Sequence, residues 1–252
     1  MTADEYLFGI LRREAVDTGS TSPVLAVRAI LQPALNAWAG NLLSGVTPSG
    51  SFAKGTANHS GTDIDLLISL SSGTTNPLKE IYESLFANVQ QAGYSPKRQD
   101  VSINIRVGTF DVDLVPAKRQ DTMGSDHSLY RRRKDTWTKT NVQTHIAYVR
   151  AGNRLLESRL LKLWRIQKGL DFPSFYLELA TINALMGDPA GLSTNIWTVF
   201  TYLRDTFPGA RIIDPANTNN IISDDLSQAA KNAIRDAAAA ALRSSNWNQI
   251  IV

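Results

Sequence analysis

Two aspartates one residue apart, Asp63 and Asp65, stand at the head of an apolar run (Ile64, Leu66, Leu67, Ile68, Leu70) with the composition of a buried strand. Buried charge is costly unless it is paired or bound to a cation. The surrounding stretch, GSFAKGTANHSGTDIDLLISL (50–70), holds no arginine to pair with. Residues i and i+2 of a strand point to the same side, so the two carboxylates lie side by side at its beginning. Oxygen-rich clusters of that kind suit hard divalent cations, Mg²⁺ in particular, with Mn²⁺ as a substitute. Further on, FDVDLVPA repeats the arrangement with Asp111 and Asp113. On a neighbouring strand, one of these completes a three-carboxylate set. Such a set holds two ions roughly 3.5–4 Å apart, one activating a hydroxyl and one steadying a departing pyrophosphate. Upstream, a Gly50-Ser51 turn offers backbone N–H groups and a hydroxyl to phosphate oxygens, and Lys54, Gly55 and Thr56 extend that cradle. An isolated D-x-D is also the mark of acids capping a loop. The Gly-Ser before it and FDVD after it favour the catalytic reading.

These residues need strands to carry them, and the hydrophobic pattern supplies them. Residues 3 to 16 read as an amphipathic helix, and 23 to 43 as a second with Pro23 in its first turn and a kink at Pro33. Residues 63 to 70 read as a strand, and 77 to 92 as a helix closed by Gly93. The alternation of DVSINIRVGTFDVDLVPA about Val107-Gly108-Thr109 predicts a hairpin. KRQDTMGSDHSLYRRRKD reads as a polar, basic connector, with its run Arg131 to Lys134 either a solvated face or an attractor of polyanions. Helices are expected near 136–151, 153–168, 173–186, 194–206 and 224–243. A mixed α/β half, 1–133, therefore precedes an all-helical half, 134–252.

Composition sets the outer bounds. A chain of 252 residues with 43% hydrophobic content can build a sizeable core. Its 26 basic and 23 acidic residues leave a net charge of +3, compatible with phosphate-bearing ligands but too weak to imply nucleic-acid binding by itself. The absence of cysteine excludes disulfides and thiolate metal sites and fits a reducing compartment. MTADEYLFGILRREAVD does not read as a signal peptide, and no apolar run is long enough to span a membrane. A cytoplasmic protein with no membrane partner is the expectation.

Taken together, Gly50-Ser51, Asp63-x-Asp65 before an apolar strand, and a later lone acid resemble the signature of DNA polymerase β-like nucleotidyltransferases. Within that superfamily the sequence is most similar to oligoadenylate synthetases and to the bacterial cGAS/DncV-like (CD-NTase, SMODS-type) enzymes. DLVPA (113–117) resembles the third-acid strand of that group, which selects Asp113 over Asp111. RLLKLW (159–164) is similar to the helix whose lysine, here Lys162, reaches the donor triphosphate. FPSFYLEL (172–179) resembles the helix start whose serine, here Ser174, binds phosphate, with Phe175 near the base. IIDPANTNN (212–220) looks like a stretch near the end of the helical half, shared with archaeal-type CCA-adding enzymes. Taken on their own, Lys162 also reads as a snorkelling lysine, Ser174 as a helix cap, and Phe175 as core.

The resemblance implies an α+β chain: a polymerase β-like lobe of mixed sheet and flanking helices, then an all-helical lobe, with the active site in the cleft between. It assigns Asp63, Asp65 and Asp113 to two Mg²⁺ ions, and Gly50, Ser51, Lys54, Lys162, Ser174 and Phe175 to the nucleotide. The implied activity is template-independent joining of nucleoside triphosphates, ribo or deoxyribo, into a linear or cyclic signal that an effector protein reads in antiphage defence. Transfer to an RNA 3′ end or a small molecule keeps the same chemistry. A non-catalytic nucleotide-binding module is the alternative of another class.

Overall fold

The computed structural model describes residues 1–61, 63–187 and 190–252. The chain divides into two units: a sheet unit of Asp17–Lys54 and Thr62–Ile146, and a helical unit of Met1–Val16, Gly55–Gly61 and Ala147–Val252. Among the described residues no helix is long and apolar enough to cross a membrane.

The sheet unit is built around β2 (Ile64–Leu70), buried along nearly its whole length except at Asp65. Continuous rather than alternating burial marks a central strand covered on both faces. Its neighbours are β1 (Leu43–Pro48), antiparallel, and β5 (Phe110–Arg119), parallel. Beyond β5 lie β4 (Ile103–Val107) and the short β3 (Lys97–Arg98), giving the order β1-β2-β5-β4-β3. The expected hairpin is present, with Val107 paired to Phe110 and Gly108 at φ +59° in a two-residue turn. Helix α2 (Pro23–Ala39) packs on β1, and its apolar face (Val24, Val27, Leu31, Leu35) is buried. After the five-residue α3 (Gly50–Lys54), α4 (Leu78–Gln91) buries Ile81, Tyr82, Leu85 and Val89 and lies against β5.

Two expectations change here. KRQDTMGSDHSLYRRRKD is not merely a connector: His127–Arg131 forms β6, which pairs with the end of β5 and with β7 (Thr136–Thr140). The helix expected over 136–151 begins only at Val142, as α5 (Val142–Ala151), where Asn141 accepts the N–H of Thr144 at 3.0 Å. TWTKT alternates β-branched and aromatic residues, a strand pattern that overrides the helical one. The sheet unit consequently runs to Ile146 rather than to residue 133, and the first helix groups with the helical unit.

That unit consists of α1 (Ala3–Arg13), α6 (Leu155–Gln167), α7 (Ser174–Ala184), α8 (Leu192–Asp205) and α9 (Gln228–Arg243), plus a small hairpin of β8 (Ile213–Asp214) and β9 (Asn217–Ile221). Its core centres on Trp164, Phe172, Tyr176, Phe200 and Phe207, whose rings meet at 5.0–5.4 Å in tilted or edge-on pairs. The DPAN stretch closes the hairpin turn, and Asn220 donates to Asp214 at 3.1 Å.

Candidate active site

The ladder decides which acids meet. In the parallel pairing of β2 with β5, Asp65 is the direct partner of Asp113, and in the antiparallel pairing of β5 with β4, Asp113 is the partner of Asn104. Asp65, Asp113 and Asn104 thus form one row across three adjacent strands, on one face of the sheet. The same register sets Asp111 opposite Arg106, which binds it at 3.1 Å on the solvent side. Asp111 is paired with a cation; Asp113 has only neutral donors. Asp63 lies one residue ahead of β2, outside the ladder.

Gly50 explains why the turn before α3 carries a glycine. Its φ is +58°, and a Cβ placed there would lie 1.7 Å from Oδ2 of Asp65 and 2.8 Å from its Cβ. The space that a Cβ would fill at this position is taken by the Asp65 carboxylate. The Ser49 N–H donates to the Asp65 carbonyl oxygen at 2.9 Å and ties the turn to β2. Ser51 follows, half-buried, in α3. Lys54 at the end of α3 is only 6% exposed, so it does not offer an open ammonium to a phosphate.

The electrostatics are those of crowded like charges. Asp63 is an exposed residue, yet partial desolvation of its carboxyl pushes it above its ordinary value, and the negative charges of Asp113 and then Asp111 push it further. The Asp113 carboxyl is also raised by burial, against the hydrogen bond from Asn104 and the nearby Ser102 hydroxyl, which hold it down. Among the described residues no three acidic or histidine side chains converge as closely as ligands of one ion do. The ladder fixes the Asp65–Asp113 pair; Asp63, off the ladder, is the acid a cation would draw in. An all-oxygen donor set whose members repel one another suits a hard divalent cation.

A stability test follows from Asp63. A carboxyl with a raised native pKa costs stability as pH climbs from the unfolded carboxylate's value through the native one. With chelator present at neutral pH, Asp63→Asn is expected to melt above wild type. The two melting temperatures should converge at the acid end of a series over roughly pH 3 to 8, as Asp63 becomes protonated in both states. A wild-type protein that melts at or above the variant across the whole series would contradict the repulsion.

The helical unit places the other expected residues differently. Lys162 is 5% exposed, and its three N–H donors are met by Glu178 Oε1 at 2.6 Å, Thr56 Oγ1 at 2.8 Å and the Thr56 carbonyl at 3.3 Å. Glu178 is fully buried and also accepts the Thr56 hydroxyl. Lys162 is therefore neither a snorkelling side chain nor an open triphosphate ligand; it is half of a buried ion pair. Ser174 begins α7, and its hydroxyl accepts from Arg165 at 2.9 Å. Arg165 also donates to the Phe172 carbonyl at 2.7 Å, and its burial lowers its pKa. Phe175 packs against the helical core rather than standing out as a stacking platform. His59 is exposed in the 55–61 segment, and its backbone N–H donates to Glu14.

Three residues escaped sequence reasoning: Gln99, Ser102 and Asn104. Gln99 Nε2 and Asn104 Nδ2 donate to Oδ1 of Asp113 at 3.2 and 2.9 Å, and the Ser102 hydroxyl lies 3.4 Å from Oδ2. The only signal was that Ser102 and Asn104 are the polar positions of an alternating strand; their meeting with Asp113 depends on register.

No family model matches the chain. A cyclic AMP-AMP-AMP synthase of Escherichia coli strain MS 115-1 is 26% identical over 237 residues, covering 78% of this chain and 74% of the relative. The structure of E. coli MS115-1 CdnC with ATP superposes with a TM-score of 0.79 at 22% identity, over 99% of this chain and 97% of that one. The Cid1 poly(U) polymerase with Mg 3′-dATP bound gives 0.67 at 14% identity, over 97% of this chain and 95% of that one.

Proposed function

We propose that the chain is a polymerase β-like nucleotidyltransferase of the CD-NTase kind, and that it joins nucleoside triphosphates into a linear or cyclic oligonucleotide with release of pyrophosphate. The observation that carries the reading is the register of Asp65 with Asp113 on adjacent parallel strands, with Gly50 held against Asp65. Asp63, Asp65 and Asp113 are the residues that would hold divalent cations. Bound there, the cations would lower the pKa of an acceptor hydroxyl and balance the charge of the triphosphate. The Gly50-Ser51 turn offers backbone N–H groups and the Ser51 hydroxyl to phosphate oxygens. The acceptor oxygen forms a bond to the α-phosphorus as the bond to the pyrophosphate oxygen breaks, and the hydroxyl proton passes to a carboxylate oxygen of Asp113. Binding of ATP by CdnC supports ATP as a first substrate to try. A role in antiphage defence, and an effector that reads the product, rest on the kinship alone.

The likeness to a poly(U) polymerase supports a second acceptor, an RNA 3′ end, with the same three acids. One assay separates the two. Each labelled ribo- and deoxyribonucleoside triphosphate is incubated with Mg²⁺ or Mn²⁺, with and without an RNA oligonucleotide, beside an Asp63→Ala/Asp65→Ala double variant. A metal-dependent product made without RNA and lost in the variant is the expected result, and resistance to phosphatase identifies a closed ring. Product only on RNA would favour the second acceptor. Equal product from the double variant would remove the acids from the reaction.

A further inference from the structure

We infer that Asn104 and Gln99 are positioning residues for this transfer: they occupy Oδ1 of Asp113 and leave Oδ2 as its working atom. The inference rests on the reading of Asp113 as the third acid. A carboxylate oxygen has two lone-pair sites, and on Oδ1 both are taken, by Asn104 at 2.9 Å and Gln99 at 3.2 Å. Oδ2 is approached by the Ser102 hydroxyl at 3.4 Å, but that hydroxyl has a better acceptor, Gln99 Oε1 at 2.7 Å. One hydroxyl carries one hydrogen, so the shorter bond takes it and Oδ2 keeps its lone pairs for a cation or a substrate proton.

Gln99 is itself braced. Its carbonyl accepts Arg132 Nε at 3.0 Å, and its N–H donates to the Ser102 carbonyl at 3.0 Å. Tyr82 is fully buried, and its hydroxyl hydrogen goes to the nearer of two carbonyls, that of Ser102 at 2.8 Å, with the Gln99 carbonyl at 3.1 Å. The turn that carries Gln99 is thereby locked from the helix side by α4 and from the hairpin side by Arg132. The basic run Arg131 to Lys134 thus has a structural role. Arg131 pairs with Asp100 at 3.5 Å, the Arg133 N–H donates to Asp100 at 2.8 Å, and Arg132 holds Gln99. Asp113 therefore cannot rotate freely about its side chain, and an oriented ligand is what a reaction with in-line geometry requires.

The test uses Asn104→Ala and Gln99→Ala, with the near-isosteric Gln99→Glu as a variant that disturbs packing least and Asp113→Asn as the reference. Mn²⁺ binding is read by electron paramagnetic resonance with a non-hydrolysable nucleoside triphosphate, alongside kcat, KM and Tm. Losing an outer-shell partner costs about 10- to 100-fold in metal affinity or activity. That loss is expected in Mn²⁺ affinity and in kcat for all three amide variants, with KM for nucleotide within about threefold, because the triphosphate's own contacts are untouched. Amide variants that lower Tm yet bind Mn²⁺ and turn over as wild type does, while Asp113→Asn does neither, would overturn the positioning role and leave the third acid standing. If Asp113→Asn itself binds Mn²⁺ and turns over normally, the site reading falls and the inference falls with it.

Discussion

Asp113→Asn is expected to turn over roughly 10³-fold more slowly than wild type and to unfold no more easily. The two halves of that result come from the same side chain. An asparagine keeps the shape and an amide oxygen that accepts from Asn104 and Gln99, as Oδ1 does now at 2.9 and 3.2 Å. What changes is the second terminal atom, which becomes an NH₂ donor and cannot ligate a cation or accept a proton. A metal contact worth several kcal/mol, at about 1.36 kcal/mol per tenfold, sets the scale of about 10³. Stability should hold or rise, because Asp113 carries a charge that burial disfavours and that Asp111 repels. Single-turnover kinetics and a denaturant titration would check both halves. A variant that is slow only because it is unfolded would show the second half to be wrong, and one that turns over within a few-fold of wild type would remove Asp113 from the chemistry.

Gly50→Ala is the second large effect, and it involves no charged group at all. The added Cβ would stand 1.7 Å from Oδ2, 2.3 Å from Cγ and 2.8 Å from Cβ of Asp65, so a rotation of the carboxylate's tip does not relieve the overlap. The whole Asp65 side chain or the α3 turn has to move. A backbone at φ +58° adds about 1–2 kcal/mol of strain for any residue with a Cβ. Displacing a reacting group by about 1 Å costs on the order of 10²-fold in rate, and that is the expected loss in kcat, with Mn²⁺ affinity falling in parallel. The sheet's core residues Ile64, Leu66 and Ile68 lie away from the overlap, so the protein should still fold. Activity within about threefold of wild type would mean that Asp65 has room to spare and that its ligand role needs no fixed orientation.

How much of this is legible in the sequence depends on whether the information is local. Asp63 and Asp65 at the head of an apolar strand, the Gly50-Ser51 turn and the hairpin about Gly108 are visible because strand alternation and turn chemistry act over two to four residues. So are α4 and the helices after residue 150, whose apolar spacing is continuous. The strands β6 and β7 escape such a reading, since a basic, polar stretch offers little apolar alternation, and the pairing of β6 with the end of β5 and of β7 with β6 supplies the stability that the local pattern lacks.

Side-chain roles divide along the same line. The residue types alone point to an oxygen-only donor set of the kind that suits a hard cation, and the resemblance of DLVPA to the third-acid strand of the nucleotidyltransferases selects Asp113. Only the tertiary structure decides that Arg106 has already claimed Asp111, that Gln99 and Asn104 hold Asp113, and that Lys162 is tied to Glu178 inside the helical unit. Each of those is a contact between residues brought together by strand register or helix packing. A hydrogen bond a few ångströms long is set by such placement, which no spacing along the chain encodes.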